Sequence, residues 1–311
     1  MNLPSVRGRA GEPCDSAREP DADAFFGPTT KAPSLSSIFR LRFLQLLARR
    51  DHGPTLSELR LGHLLEGEFT ATDLFARAYE LMLETYRCEY VFKNEIVRKL
   101  YLARHDVASS SLISEFKVAQ NRADLLVVNG TTTVYEVKTR YDVLDRLPYQ
   151  LTTYLEVFDR VIVVADAVHV SKILAEADER VGVISFTARG TFHVERAWTS
   201  NSSRVVPATI FDCLHVPEYT SAVKRVTGFA PEVPNTRRHR VYRALFETLS
   251  PGQAHRVLVD ALRSRYPVHG SAHERLHPSL LHLYFNAAPA HRQKLFSDGV
   301  LSRPLQLDAG H

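Results

Sequence analysis

Cysteine is scarce in this chain. Three residues, Cys14, Cys88 and Cys213, are scattered through 311 positions and form no CxxC pair. Neither a disulfide framework nor a zinc ribbon is expected, and a reducing compartment is the default. Long apolar runs are missing too. None approaches the roughly 20 residues that span a bilayer, and the start, Met1 to Arg9, has no apolar signal core. The expectation is a soluble, cytoplasmic protein with no membrane partner. There is no Walker glycine loop and no GxSxG, so neither an NTPase motor nor a serine hydrolase of that kind is expected. His273 and His277 stand four apart but lack the Cys or Glu companions of a zinc site. What is present is ordinary globular composition, 44% apolar and 24% charged, which argues against a wholly disordered or collagenous chain.

Charge is unevenly placed. Residues 221–311 hold 13 Lys and Arg against 6 Asp and Glu, a net of +7, so the first 220 carry −3 of the overall +4. A basic C-terminal third suits an anionic partner such as nucleic acid; a solvated helical face or a homodimer contact would use the same charges. Arg237, Arg238 and Arg240 open one predicted helix there, and Arg256 and Arg263 lie on the outer face of the next.

Residues 1–35 are rich in Pro, Gly, Asp, Ser and Arg and read as a disordered tail. Ile38, Leu41, Leu44 and Leu47 recur at helical spacing up to a Gly53-Pro54 stop, and a second helix is predicted from about Thr72 to Tyr86. A third is predicted to start at Asn94 as N-cap and to carry Ile96, Val97 and Leu100. These make 36–108 a helical N-terminal region. From about residue 111 the pattern changes. Ser111–Val118, Arg122–Val128 and Thr132–Lys138 read as strands, with Asn129-Gly130 as a hairpin signal. A helix over 143–158, a fully buried strand at Val161–Ala165, a helix over 168–178 and strands at 181–186 and 191–197 follow. The order predicts an α/β fold, a mixed sheet with helices on it, over 109–200. Residues 201–311 return to helices, one over 237–249 and one opened by the Ser250-Pro251-Gly252-Gln253 capping box.

Within the predicted sheet, Asp124 opens one apolar strand, and Glu136 and Lys138 sit two apart near the end of the next, hence on one face. Two carboxylates on neighbouring strands suit a hard divalent cation, most naturally Mg2+, with Mn2+ as a substitute. A lysine beside them can orient or deprotonate water. The register decides whether they meet. A two-residue Asn-Gly turn pairs Asp124 with Tyr135 and turns it away from Glu136; a bulged three-residue loop at Val128–Gly130 pairs it with Val134 and restores a common face. The competing explanation is a polar-edged hairpin with an incidental Glu-x-Lys, although charges inside apolar strands are costly without partners.

Asp124 followed across a hairpin by Glu136-Val137-Lys138 resembles the signature of the PD-(D/E)XK nuclease superfamily, the restriction-endonuclease-like fold. Glu115-Phe116, Ala123-Asp124, Asn129-Gly130, Val134 to Lys138, Tyr141-Asp142, Asp145-Arg146-Leu147, Gln150-Leu151 and Tyr154 resemble, as a string, a bacterial and phage family within it. The resemblance covers roughly residues 90–165, and Ala123 replaces the proline of the superfamily's name. It implies a nuclease core over 109–200, with Asp124 and Glu136 as metal ligands and Lys138 as the catalytic lysine. The Val137 carbonyl is a further ligand candidate, and Glu115 and Gln150 are supporting residues. Glu95 competes with Glu115 for the accessory carboxylate, but as a helix residue four before Lys99 it has a sufficient structural explanation. Tyr154, one turn after Gln150, either approaches the site or packs the helix on the sheet. The expected function is metal-dependent phosphodiester hydrolysis, with DNA as partner. The rival is a non-catalytic nucleic-acid-binding or regulatory protein that retains the nuclease fold, and RNA is a third substrate.

Overall fold

The computed structural model describes residues 35–49, 68–266 and 271–305. The expected tail, apart from Leu35, and the Gly53-Pro54 stop lie outside these residues. The centre is a six-stranded sheet: β2 (Ser111–Val118), β3 (Asn121–Val128), β4 (Thr132–Lys138), β5 (Arg160–Asp166), β6 (Gly182–Phe186) and β7 (Phe192–Arg196), in that spatial order. The β4–β5 and β5–β6 pairs are parallel and the other three antiparallel. A two-stranded pair, β1 (Phe69–Thr70) with β8 (Pro304–Leu305), ties the two ends of the described chain together. The fold is thus the α/β class expected, a mixed sheet flanked by helices. Among the described residues no helix is long and apolar enough to cross a membrane.

Helices cover both faces. On one lie α1 (Leu41–Leu47), α2 (Ala71–Thr85), α3 (Glu89–Ile96), α10 (Leu281–Asn286), α11 (Pro289–Leu295) and α12 (Asp298–Leu301). Phe75, Phe92, Tyr101 and Leu283 from this layer share a core with Leu125, Val127, Tyr135 and Ile162 of the sheet. On the other lie α4 (Leu147–Leu155), α6 (Pro207–Phe211), α7 (Val216–Thr227), α8 (Asn235–Phe246) and α9 (Pro251–Arg265). Their Tyr154, Phe211, Phe246 and Leu258 pack with Leu126, Val128, Val134 and Val163. Each such side chain contributes about 1.5–3 kcal/mol on full burial, and β5 is buried on both faces because both layers reach it. A further helix, α5 (Ala167–Glu176), links β5 to β6, capped by Asp166 accepting from the Val168 amide. The C-terminal third therefore divides: 207–265 covers one face and 281–301 joins the N-terminal helices on the other.

Two expectations are corrected. Asn94 does not cap a helix; α3 begins at Glu89 after Cys88, and Asn94 lies buried inside it. Its side chain instead donates to the Pro278 carbonyl (2.9 Å) and accepts from the His282 amide (2.9 Å), so a capping residue serves as an interhelical tie. The hairpin loop is neither of the two forms weighed. Val128 pairs with Thr132, leaving Asn129, Gly130 and Thr131 as a three-residue loop shifted one residue along. Gly130 takes φ +66°, and the Asn129 amide donates to the Thr131 carbonyl at 2.9 Å. Glycine occupies this left-handed position at no steric cost.

Candidate functional site

The register of the hairpin places Asp124 opposite Glu136, because the β3–β4 ladder counts through Leu126–Val134 and Leu125–Tyr135 to end one step short of them. On the other side, Ser114 pairs with Leu125 and Phe116 with Ala123, which leaves Glu115 opposite Asp124 without a ladder pairing. Three acids thus form one row across three adjacent strands, Glu115–Asp124–Glu136. The row continues into β5 as Val163, the partner of Glu136.

The row also interrupts strand periodicity. Ile113 and Phe116 share one core, as do Ala123 and Leu126, so alternation slips at Glu115 and at Asp124 together. Glu115 has φ +55°, a left-handed conformation that costs a non-glycine residue roughly 1–2 kcal/mol. The slip lets both carboxylates leave the regular side-chain direction and reach a common partner, Lys93 on α3. The Lys93 ammonium is 5% exposed and lies 3.0 Å from Asp124 Oδ1 and 2.5 Å from Glu89 Oε1, and it donates to Glu115 Oε1. The second Asp124 oxygen, Oδ2, accepts from the Val137 amide at 2.7 Å. Asp124 therefore bonds the backbone unit between Glu136 and Lys138, replacing the ladder bond that the diverging strands lack.

Glu136 and Lys138 form the other half of the site. Lys138 Nζ donates to Glu136 Oε1 (2.8 Å) and Gln150 Oε1 (3.1 Å). The Tyr154 hydroxyl lies 3.0 Å from Glu136 Oε2 and 2.9 Å from the Arg122 carbonyl. Gln150 and Tyr154 come from one face of α4, one turn apart. Tyr154 both packs the helix on the sheet and reaches the acid.

Burial dominates the electrostatics. It raises the Glu136 carboxyl to about 7, with the Asp124 charge pushing the same way and Lys138 and Tyr154 opposing. Asp124 is raised as well, by burial first, against the pull of Lys93. Burial alone would lower the Lys93 ammonium, but Asp124, Glu89 and Glu115 outweigh it and hold the charge. Tyr154 is raised by burial and by Glu136. Isolated buried charges are costly, and here each is partnered within a cluster that opens to solvent at Glu89 and Glu115.

The donor set fits a hard cation. Carboxylate oxygens of Glu89, Glu115 and Asp124 lie within 4.8 Å of one another, an all-oxygen group of the kind magnesium and manganese prefer. The Lys93 ammonium is paired with all three. Glu136 lies on the far side of Asp124, and both its oxygens have protein partners.

Of the residues singled out in the sequence, Asp124, Glu136, Lys138, Gln150 and Glu115 come together. Val137 joins them through its amide. Its backbone otherwise belongs to the β4–β5 ladder, opposite Val164. Glu95 stands apart. It is buried with the Tyr79 hydroxyl (2.9 Å), Arg98 (2.6 Å) and Lys99 (2.7 Å), and these donors hold its carboxyl below the usual range despite burial. Asp142 caps a turn, accepting from the Thr139 amide and hydroxyl, both at 2.6 Å. Lys93 and Glu89 are new to the site. Their four-residue spacing is a legible helical pair, but a helix read as starting at Asn94 leaves both outside it.

Comparison with known proteins adds three findings. The chain is 30% identical over 87 residues to Protein cII of Enterobacteria phage P4, a match covering 27% of this chain and 33% of that protein. It thus spans about a third of the curated relative's length. The SPO1766 protein of unknown function from Silicibacter pomeroyi is similar at 19% identity over 37% of this chain and 73% of that one, with a TM-score of 0.28, too low to carry an argument. The family model described as Bacteriophage P4 protein cII matches residues 82–276, more than half of the chain and every residue of the cluster just described. The chain belongs to the bacteriophage P4 protein cII family.

Proposed function

We propose that this chain is a metal-dependent nuclease that hydrolyses phosphodiester bonds in DNA in the reducing cytoplasm, on a restriction-endonuclease-like core. The observation that carries the proposal is the row Glu115–Asp124–Glu136 with Lys138 two residues further along β4. Charged groups at buried or half-buried strand positions are expensive, and Asp124, Glu136 and Lys138 are three of them on neighbouring strands. The buried free thiols of Cys88 and Cys213 suit the assigned compartment.

Asp124 and Glu136, with the Val137 carbonyl, would hold Mg2+ or Mn2+, and Glu115 and Glu89 add carboxylates on the Asp124 side. Such a cation supplies charge neutralisation at a phosphoryl oxygen and makes water more acidic. The protein's own groups do the rest. Lys138, fixed by Glu136 and Gln150, presents an ammonium that orients the attacking water and offsets negative charge developing on the phosphate. Glu136 holds the Lys138 ammonium at 2.8 Å, and a cation beside it would offset the burial that raises its carboxyl. Tyr154 and Gln150 hold the Glu136–Lys138 pair in one geometry. Lys93 keeps Asp124 and Glu115 gathered in the absence of substrate.

One feature favours a second function, nucleic-acid binding or regulation without catalysis: every acid of the row already has a protein partner, with Lys93 seated among three carboxylates. Incubation with linear and circular DNA, with magnesium, manganese or chelator, beside Asp124→Ala, separates the two. Metal-dependent cleavage by the native chain, absent in the variant, is expected. DNA binding by both with cleavage by neither would establish the second function and overturn the first.

A further inference from the structure

β2 is an edge strand, and its open side faces a cavity of about 610 Å3. Glu115, Lys117, Leu214 and His215 are among its walls. A second cavity, about 760 Å3, shares Asp212, Leu214 and His215 with the first and reaches Arg238 and His239 on α8. The two adjoin at that shared wall and give one groove, with the accessory carboxylate of the candidate site at one end and α8, the most arginine-rich helix among the described residues, at the other.

The charge on α8 lacks an internal explanation. Tyr242 and Phe246 bury one side of the helix. Arg243 is held by Asp212 and Glu247, and Arg265 on the groove wall is held by Glu218. Arg237, Arg238 and Arg240 have no ion-pair partner among the described residues. Arg237 and Arg240, at i and i+3, are like charges on one face of the helix, and an external anion would relieve their repulsion. Asp212, the acid shared by both cavities, is taken up by Arg243 and faces His239 at 3.6 Å. The groove's free side chains are therefore cationic at both ends, Lys117 beside the site and Arg238 at the far mouth.

We infer that this groove is the track for a DNA phosphate chain, with Arg237, Arg238 and Arg240 as its outer anchor and Lys117 as its inner one. The inference rests on the nuclease proposal for the identity of the polyanion. Guanidinium groups match phosphate oxygens in pairs, and neutralising phosphates releases counterions, giving binding a steep salt dependence. Of the α8 arginines Arg238 lines the second cavity, with Arg237 and Arg240 beside it in the same turn, whereas the α9 arginine that lines the groove, Arg265, is held by Glu218 and Arg256 and Arg263 line neither cavity, so α9 is assigned no part in the track.

Duplex binding by the full chain, measured by fluorescence anisotropy in chelator at several salt concentrations, tests this without catalysis. Replacing Arg237, Arg238 and Arg240 with alanine should flatten the log–log salt slope by up to about 2.7, at about 0.9 for each phosphate no longer neutralised, and replacing them with lysine should largely preserve it. Lys117→Glu should weaken binding at least about tenfold at low salt, whereas the matched reversal Arg263→Glu should leave it within about twofold. An unchanged slope in the alanine triple variant, or an equal loss from Arg263→Glu, would overturn the track. If the slope changes as expected but the native chain never cuts DNA with metal, the track stands and the nuclease proposal falls.

Discussion

Asp124 and Asp159 are acids at the same sheet, and they are held in opposite ways. Asp159, just before β5, accepts from Thr131 Oγ1 (2.8 Å), Ser200 Oγ (2.6 Å) and the amides of Asn201 (3.0 Å) and Ser202 (2.9 Å). Burial would raise its carboxyl, yet these donors hold it below the ordinary range. Asp124 has one amide and one shared ammonium, and burial prevails, raising it. The first acid is satisfied by four neutral donors, with Arg160 Nε at 3.6 Å beside them, and joins the loop at 199–202 to the sheet. The second shares its one ammonium with two other carboxylates, Glu89 and Glu115. A carboxylate that structure alone requires can be fully satisfied by the fold; one poised for a cation or a substrate cannot be, or it would have no affinity left.

The largest test of this contrast is functional. Asp124→Ala and Lys138→Ala should each lower metal-dependent DNA cleavage by about 10²–10⁴, measured as turnover per folded molecule, whereas Asp159→Asn should leave that rate nearly unchanged. Lys138→Ala should keep its metal affinity. Glu136→Gln should weaken it at least about tenfold in calorimetry, since a ligand charge is removed. Equal metal affinity in Glu136→Gln would reverse the division of roles between Glu136 and Lys138.

Stability should sort the aspartates the other way. Asp159→Asn replaces an acceptor that four donors face and should cost about 2–4 kcal/mol in denaturant unfolding. Asp124→Asn removes a charge that is already penalised and should cost less, because Lys93 keeps Glu115 and Glu89. A larger loss from Asp124→Asn would make Asp124 the structural acid.

His282 extends the contrast to a base. It is buried beside the same cluster, with Nε2 3.2 Å from Ser114 Oγ and Nδ1 without a partner among the described residues. Burial lowers its pKa from 6.5 to about 3, with Lys93 adding repulsion. The unfolded chain therefore binds this proton first. Stability from a neutral His282 is complete above the unfolded pKa and falls as pH drops toward the folded one, at no more than about 1.4 kcal/mol per pH unit. His282→Gln should give a shallower decline in urea midpoint over that window; an unchanged slope would assign the acid sensitivity elsewhere.

The smallest effect compares two left-handed residues, Glu115 within β2 and Ala119 in the turn between β2 and β3. Ala119 (φ +50°) and Glu115 (φ +55°) should each gain about 1 kcal/mol of backbone relief from glycine. Ala119→Gly should therefore raise the melting temperature and leave cleavage alone. Glu115→Gly should offset its relief by removing the ion pair with Lys93, and should reduce cleavage. Equal behaviour of the two would remove Glu115 from the site.

Local patterns carried much of this fold. Short runs rich in branched or aromatic residues and the Asn129-Gly130 turn located β2, β3 and β4 to within a residue, the continuous run Val161–Ala165 identified the doubly buried strand, and Ser250 to Gln253 predicted the capping box now seen, with the Ser250 hydroxyl accepting from the Gln253 amide. These signals are legible because each depends on neighbours a few residues away. Short helices such as α6 and α10–α12 were not legible, since they are held by packing across the molecule rather than by a sustained stripe of their own.

By itself, the sequence determined that Asp124, Glu136 and Lys138 lie on adjacent strands inside an apolar sheet, because strand period and turn chemistry are local. Only the tertiary structure decided what surrounds them. The loop slipped one residue and set Asp124 directly opposite Glu136. The left-handed Glu115 turned a strand-edge acid toward Asp124, and α3 brought Lys93 and Glu89 from more than twenty residues upstream of Glu115 into the same cluster. Loop register and helix docking are settled by the burial of whole faces and by the pairing of buried charges. Both are sums over distant residues, which no short window of sequence contains.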